Sequence, residues 1–320
     1  MKNNADLRLL TIFKLIIFAI ILISLSLFHL LYDSQADITI LYEIRLPRLI
    51  LAISVGGGIG LSGTILQGIF RNNLVEPYTL GISGGAALGI AIGLSIKSLG
   101  IYLTVFYLPI FGFLGAILSL TIIYLIALNV DRINTNKILL VGIMISLLSS
   151  SGLMLILSIS KTEELHSIIY WIMGSLDEFR NELIYINLVV SLIVLIISIF
   201  VSKWLNIIQL GSEKGFSLGL NLELIIKIVV SLASLMTAIS VATAGIIPFI
   251  GIVAPHITRS FVGNDYRFLT IGSYLNGGII LVASDIIARS IISPNELPVG
   301  VITGLIGGII FINIFRKSSK

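Results

Sequence analysis

The sequence predicts an all-α, polytopic membrane protein with about ten transmembrane helices. Hydrophobic residues make up 57% of the 320 positions and charged residues only 11%, whereas a soluble domain has roughly 25% charged residues. The run from Leu183 to Val201 is apolar on every side, and about twenty helical residues cross the ~30 Å hydrocarbon core of a bilayer. Strands of a membrane β-barrel would instead alternate apolar and polar residues. Because lipid offers the backbone no hydrogen-bond partners, such runs must be helical.

Charges, prolines and glycine clusters divide the chain into predicted spans. These are 9–32, 49–70, 76–96, 101–128, 138–159, 183–202, 224–244, 247–263, 268–289 and 298–315. The first apolar run is too long for the core of a cleavable signal and no Ala-x-Ala-type site follows it, so we expect a span there. Two intervening segments are expected outside the hydrocarbon core: a partly amphipathic one at 162–182, with an extracytoplasmic helix near 162–176, and a polar one at 203–222.

Loop charges predict the orientation of the spans. Placing both termini in the cytoplasm puts fourteen of the 20 Lys and Arg residues on the cytoplasmic side, as the positive-inside rule expects. Because the longest segment outside the spans has about twenty residues, we expect one transmembrane domain, 1–320. No phosphate-binding loop of the form GxxxxGK[ST] occurs, so a partner must hydrolyse any ATP that is used.

The sequence predicts neither a cofactor nor a metal on this chain. Cysteine is absent, so a disulfide framework and thiolate chemistry are excluded. The three histidines are scattered. A chain of buried carboxylates, typical of proton-coupled pumps, is also missing, which disfavours a gradient-driven secondary transporter.

Small residues recur along three predicted spans. Glycines repeat every fourth residue in the third and last spans, and a polar sector marks the fifth: Gly81, Gly85, Gly89 and Gly93; Gly300, Gly304 and Gly308; Gly142, Ser146, Ser149, Ser150 and Ser151. Such spacing permits close approach between membrane helices. Packing within the subunit explains the first stripe, whereas the last stripe fits a subunit interface or pore wall equally well. The serine sector either bonds to neighbouring backbone or lines a wet cavity.

Ionisable residues near the membrane are few. Asp285 lies four residues before Arg289, so the two can pair on one helix face, and a structural ion pair is the plain interpretation. His256 follows Pro255 at a predicted helix break and is interpreted as structural. Arg45 and Arg48 lie three residues apart on the basic-poor outer side, where they anchor the helix in lipid headgroups or form an electrostatic socket for an acidic partner.

Five segments, in chain order, resemble permease subunits of ATP-binding-cassette (ABC) importers for iron-siderophores, haem and vitamin B12. They are Arg45–Arg48 (RLPR); Ser62-Gly63 with Gln67, Arg71–Pro77 (RNNLVEP) and Leu80–Ser83 (LGIS); Gly251–Arg259 (GIVAPHITR); Asp285–Arg289 (DIIAR); and Glu296–Gly300 (ELPVG). The positions that match the family pattern include Gln67, Arg71, Pro77, Pro255, His256, Arg259, Asp285 and Glu296. The resemblance implies a type II ABC importer permease fold in the cell membrane.

The resemblance also implies partners and residue roles. A second permease subunit, two cytoplasmic ATPases that hold ATP and Mg²⁺, and an extracytoplasmic solute-binding protein would complete the machine, with no role for nucleic acid. Coupling to the ATPase is implied for the segment near 210–222, namely Leu210, Gly211, Ser212, Glu213, Lys214, Gly215, Phe216, Ser217, Leu218 and Gly219. Docking of the binding protein is implied for Arg45, Arg48 and Arg289, and an inner gate for Asn72, Leu74, Thr135 and Asn136. The pathway would be lined by the fifth and tenth spans, with Gly142, Ser146, Ser149, Ser150, Gly300, Gly304 and Gly308.

Two positions depart from the family pattern. Asn73 stands where the family has a proline, which would fix φ. Gly215 replaces a common alanine in the coupling segment, where glycine lowers helix propensity by about 1 kcal/mol.

The expected function is import of an iron chelate, a ferric siderophore or haem, by a transport subunit that is not itself an enzyme. Vitamin B12 or another metal chelate is the alternative cargo of the same machine. A gradient-driven secondary transporter is disfavoured because the spans have no chain of buried carboxylates. An intramembrane enzyme would need paired aspartates, a HExxH helix or a Ser/His arrangement, which the predicted spans lack. A solute-sensing receptor would need an output domain, and no segment is long enough for one.

Overall fold

The computed structural model describes residues 4–31, 38–98, 107–128, 135–178, 180–211, 221–292 and 295–318. Within these ranges the chain forms eleven helices and no strand. The helices are α1 Asn4–Leu31, α2 Ile38–Phe70, α3 Ile82–Ser98, α4 Tyr107–Ile123, α5 Thr135–Ile159, α6 Thr162–Ile172, α7 Asn181–Gln209, α8 Leu222–Ala244, α9 Ile250–Val262, α10 Tyr266–Ser290 and α11 Val299–Ser318. A π-helical turn, Leu41–Arg45, lies within α2, and a second one, Tyr124–Leu128, extends α4.

Each predicted span overlaps one of these helices, and the all-α fold class is confirmed. Among the described residues, seven helices are long and apolar enough to cross a membrane: α1, α2, α4, α5, α7, α8 and α10. Helices α3 and α11 carry shorter apolar stretches. Helix α9 has 13 residues, about 20 Å at 1.5 Å per residue, so it falls short of the hydrocarbon thickness by itself. Helix α6 occupies the segment that the sequence assigns to an amphipathic piece outside the core.

Helix α2 is the central helix of the bundle. From Pro47 to Phe70 it is buried at every position except Ile50 and Ile53. Its glycines let neighbouring helices approach: a Cβ on Gly56 would overlap the carbonyl oxygen of Gly277 in α10, and a Cβ on Gly63 would overlap that of Gly251 in α9. By contrast, only 11% of the apolar window of α1 is buried. The chain therefore buries its small residues in the centre and leaves large apolar side chains outside, as expected when the solvent is lipid.

The first glycine stripe packs inside the subunit, as predicted. A Cβ on Gly85 would overlap Gly115 of α4, one on Gly89 would overlap the carbonyl oxygen of Phe111, and one on Gly81 would lie 2.6 Å from the carbonyl oxygen of Gly142 in α5. The stripe thus joins α3 to α4 and to α5.

The predicted break in the eighth span lies earlier than Pro255. The chain leaves α8 at Gly245 (φ 70) and enters α9 through Phe249, a non-glycine residue in the left-handed region (φ 67). Helix α9 then continues through Pro255. Proline lacks the N–H that would bond the carbonyl oxygen of Gly251, and that oxygen instead accepts a hydrogen bond of 3.2 Å from the Gln67 side chain of α2. The Gly251 carbonyl oxygen is therefore not left without a hydrogen bond, because the neighbouring α2 supplies the donor that Pro255 lacks.

The α2–α10 contact leads to a test of packing. Gly277→Val should destabilise the protein by about 3 kcal/mol or prevent its accumulation, because overpacking a dense contact costs roughly 1–3 kcal/mol and the clash here is with backbone. Thermal unfolding in detergent, followed by size-exclusion chromatography, would measure this. Gly304→Ala is the control, since the nearest atom to its Cβ would be 3.6 Å away. Equal stability of Gly277→Val and the parent chain would contradict this contact.

Candidate functional site

A group of six ionisable side chains, called here the ion cluster, lies at the end of the bundle that the sequence predicts to be outer. At its centre is Asp285 of α10, which has no exposed surface. Its Oδ1 accepts hydrogen bonds from Arg48 Nε at 3.0 Å and Nη2 at 2.8 Å, and its Oδ2 lies 2.7 Å from His29 Nε2. Arg289, one turn further along α10, places Nε 3.4 Å from the same Oδ2. The predicted Asp285–Arg289 pair is confirmed, but it is the longest of these contacts.

Arg48 extends the ion cluster towards solvent. Its Nη1 lies 2.7 Å from Asp177 Oδ1 and 2.7 Å from Glu296 Oε2. The Arg48 side chain is 10% exposed, whereas those of Asp177 and Glu296 are 30% and 38% exposed. A single guanidinium therefore joins α2 to the segment after α6, to α10 and to the loop before α11. Bonding a buried carboxylate to an always-charged group in this way offsets its loss of hydration.

Sequence reasoning found part of the ion cluster. Arg48, Asp285, Arg289 and Glu296 belong to three separate motifs that the fold brings together. His29 and Asp177 were missed, because neither lies in a recognisable motif and their partners are 256 and 129 positions away. The available signal for His29 was a histidine in the last turn of α1, after a long stretch without charged residues.

The three arginines predicted to dock a partner differ in their surroundings. Arg45 is half-buried and donates from Nη1 to the carbonyl oxygen of Leu30 at 2.8 Å. Arg48 is committed to three carboxylates, and the Arg289 side chain is 17% exposed. In this conformation Arg48 therefore stabilises the fold through its three ion pairs.

At the opposite end of the bundle, residues 71–76 form a loop that returns from α2 towards α3 and is called here the gate loop, after the role that the resemblance implies for Asn72 and Leu74. Arg71 ends α2 with φ of 50. The Asn72 side chain then accepts the Leu74 N–H at 2.9 Å, and its carbonyl oxygen accepts the Val75 N–H at 3.3 Å. This side-chain-capped turn is local and self-sufficient, so it forms although Asn73 replaces the family's proline. Pro77 follows, at the start of a 3₁₀ turn to Leu80.

The other predicted gate residues, Thr135 and Asn136, begin α5, where Thr135 is half-buried and Asn136 is exposed. Leu74 of the gate loop is 43% exposed. The coupling segment begins with Leu210 and Gly211 at the end of α7, and its remaining residues, Ser212 to Gly219, lie outside the described residues.

The residues predicted to line a pathway fall into two groups. Gly142 of α5 packs against the 3₁₀ turn before α3, where its Cβ would lie 2.8 Å from Leu80, and Ser149 packs against α3, where a Cβ on Gly84 would lie 3.2 Å from it. Gly300 is likewise buried, against the carbonyl oxygens of Met173 and Ile246. In this conformation these three are packing positions. The others are more open: Ser150 is exposed, and Ser146, Gly304 and Gly308 are half-buried.

The family model named "FecCD transport family" matches residues 7–317 of this chain. The chain belongs to the FecCD transport family. It is 35% identical over 281 residues to the hemin transport system permease protein HmuU of Yersinia pestis, covering 87% of this chain and 83% of that protein. It is 33% identical over 273 residues to the cobalamin import system permease protein BtuC of Halobacterium salinarum, covering 85% and 72%.

A solved structure supports the fold of this FecCD chain. An inward-facing metal-chelate-type ABC transporter superposes with a TM-score of 0.85 at 28% identity, covering 95% of this chain and 98% of that one. The FecCD chain is thus a multi-pass cell-membrane permease subunit of an ABC importer, which forms a transport channel and is not an enzyme. As a FecCD permease it has no cofactor of its own, and its family implies ATPase and binding-protein partners.

The ion cluster of this FecCD permease leads to a stability test. Asp285→Ala leaves the guanidinium groups of Arg48 and Arg289 adjacent without their buried counter-charge, so we expect a loss of about 3–5 kcal/mol, the usual cost of breaking a buried pair. Thermal unfolding of the detergent-solubilised permease would report it. Glu296→Gln, at the exposed edge of the same cluster, should cost no more than about 1 kcal/mol. If the two variants unfolded at the same temperature, Asp285 would not be the centre of the cluster.

Proposed function

We propose that two copies of this FecCD permease, two ATPase subunits that hold ATP and Mg²⁺, and an extracytoplasmic binding protein import an iron chelate into the cytoplasm. The proposed class of cargo is supported by the names of the matched relatives. HmuU is named for hemin and BtuC for cobalamin, and the superposed transporter is of metal-chelate type. These cargoes share a metal held in a large organic chelator. Haem or a ferric siderophore is the proposed cargo, and cobalamin is the alternative.

The pathway is proposed to run between the two copies along α5 and α11. Both helices carry large apolar side chains that nothing in the described chain covers, for example Leu148 at 71%, Leu305 at 63% and Ile312 at 67% exposure. A second copy would cover part of these faces. The small groups of Ser146, Ser150, Gly304 and Gly308 would then border the cargo, and weak, neutral contacts suit a solute that must be released.

Alternating access requires a moving part at each end. Asn72 and Leu74, with Thr135 and Asn136, are proposed as the inner gate, because both sets lie at exposed helix ends on the predicted cytoplasmic side. The segment Leu210–Gly219 is proposed to contact the ATPase there. The excess of Lys and Arg in the loops and termini predicted for that side supports both termini being cytoplasmic.

Docking of the binding protein is proposed at the opposite end, with Arg45 as the principal contact and Arg289 beside it. Arg48 would contribute by exchanging Asp177 or Glu296 for a carboxylate of the partner, since its two half-exposed ion pairs are the weaker ones.

ATP-driven uptake tests the function. Proteoliposomes that contain the permease and its ATPases should accumulate hemin or a ferric hydroxamate only when the binding protein and internal ATP are both present. Cyanocobalamin is the comparison cargo. Uptake that continued without ATPase subunits and followed a proton or sodium gradient would overturn the proposal. Selective uptake of cyanocobalamin would show that cobalamin, not an iron chelate, is the cargo.

Charge reversal tests the docking surface. Arg45→Glu should weaken binding of the binding protein at least tenfold at low salt, and the difference should shrink as salt screens the charges. Lys161→Glu is the matched control, an exposed cation on the same predicted side. Surface plasmon resonance against the reconstituted permease would measure both. An unchanged affinity for Arg45→Glu at low salt would remove Arg45 from the interface.

A further inference from the structure

The last turn of α7, just before the coupling segment, is fastened to two other helices. Gln209 Nε2 donates to the carbonyl oxygen of Gly68 in α2 at 2.8 Å and to the Tyr266 hydroxyl of α10 at 3.3 Å. One turn earlier, Asn206 donates to Asp265 Oδ1 at 2.8 Å and accepts the Tyr266 N–H at 2.9 Å. Three of these four bonds join the end of α7 to the start of α10 as one unit, and the fourth joins it to α2.

Asp265 fixes the other half of this unit. It caps the start of α10 by accepting the Arg267 N–H at 3.0 Å. The hydrogen bond from the Arg267 side chain, followed by that from Asn206, lowers the pKa of Asp265 to about 2. The carboxylate is therefore ionised at neutral pH and accepts hydrogen bonds from both helices.

The Gly68 carbonyl oxygen that Gln209 bonds lies next to Gln67 in α2, and Gln67 continues the connection into the gate loop. Gln67 Oε1 accepts a hydrogen bond of 3.1 Å from Arg259 Nη2 of α9. Gln67 Nε2 in turn donates to the carbonyl oxygen of Val75 at 3.3 Å, next to the proposed gate residue Leu74. Gln67 and Tyr266 are 1% and 4% exposed, so water cannot readily replace these bonds.

We infer that Gln209 and Tyr266, which meet α2 at Gly68, and Gln67 and Arg259, which meet at the adjacent residue of α2, form a relay that transmits movement of the coupling segment to the gate loop. The inference rests on the proposed function, since it takes the segment after Gln209 as the ATPase contact and the gate loop as the inner gate. The four are positioning residues: none needs to touch the cargo or ATP.

The chemistry of the relay suits transmission. Apart from the covalent step from Gly68 to Gln67, each junction is a directional bond between side chains or to a backbone carbonyl, so displacing Gln209 shifts α2 at Gly68 and with it the groups that Gln67 bonds. The junctions are neutral except at Arg259, and each is worth only about 1 kcal/mol, so the relay can rearrange during a cycle. Within the described residues, Arg259 Nη1 is buried without a hydrogen-bond partner. The guanidinium therefore has a spare donor for a second arrangement.

Two tyrosines of α10 that each bond a side chain of α7 provide a matched test. Tyr266→Phe removes the hydroxyl that Gln209 bonds and keeps the ring that packs against Gly68. Tyr274→Phe removes an equally buried α10 hydroxyl that bonds Ser191 of α7 at 3.0 Å, outside the relay. The natural chain has no cysteine, so Asn73→Cys in the exposed gate loop takes a single spin label in each copy of the permease.

The distance between the two labels would be measured by pulsed electron spin resonance in the full permease–ATPase complex, before and after trapping with MgATP and vanadate. ATP hydrolysis would be followed in the same samples. We expect the label distance to change on trapping in the parent and in Tyr274→Phe. In Tyr266→Phe the change should fall by at least half, with hydrolysis within about twofold of the parent.

Gln209→Met is the second variant, in case Tyr266→Phe fails to fold. It should show the same reduced change in label distance on trapping. The double variant should reduce that change no further than either single variant, because the effects of two substitutions in one relay are not additive. A full label movement in both Tyr266→Phe and Gln209→Met, or an equal loss in Tyr274→Phe, would overturn the relay alone. A label that stays still in the parent while ATP is hydrolysed would overturn the gate assignment and the relay with it.

Discussion

The bond between Arg48 and Asp285 is the interaction on which the arrangement at the predicted outer end depends. A carboxylate with no exposed surface is tolerated there because a guanidinium and an imidazole occupy its oxygens, and each missing partner would leave a desolvated charge. Since those partners come from α1 and α2, the helix order around Asp285 is fixed by charge as well as by shape. The same guanidinium reaches Asp177 and Glu296, so the irregular segments before α7 and α11 are anchored to the central helix.

The two ends of the bundle are held by different chemistry. Ion pairs hold the predicted outer end, whereas amides, a phenol and backbone carbonyls hold most of the predicted inner end, where Gln209 bonds Tyr266 and Gln67 bonds the gate loop. Glycine contacts join the helices between these ends, as at Gly56 and Gly277. Hydrogen bonds of about 1 kcal/mol exchange more easily than a buried ion pair. This difference fits the proposed inner gate, which would have to rearrange, and the proposed docking surface at the other end, which would not.

Helix α9 illustrates how function and folding share the same residues. Pro255 removes one hydrogen bond from the helix, and the Gly251 carbonyl oxygen that this frees is taken up by Gln67. The same Gln67 side chain also bonds the gate loop and Arg259. A family motif on α9 and another on α2 are thus parts of one polar junction. Its residue types follow from the need to satisfy backbone groups where water is scarce.

The sequence by itself determined the all-helical membrane class, the approximate positions of the helices that its predicted spans overlap and the transporter family, because apolar run length and local motifs are properties of short segments. It also predicted the Asp285–Arg289 pair and the packing of the first glycine stripe, which follow from helical periodicity. Only the tertiary structure decided that His29 and Asp177 complete the ion cluster, that Gly142, Ser149 and Gly300 are packing positions, and that the break precedes α9 at Phe249. These outcomes depend on which faces of distant helices meet, and a charge, a small residue or a proline carries the same local signal whichever neighbour it receives.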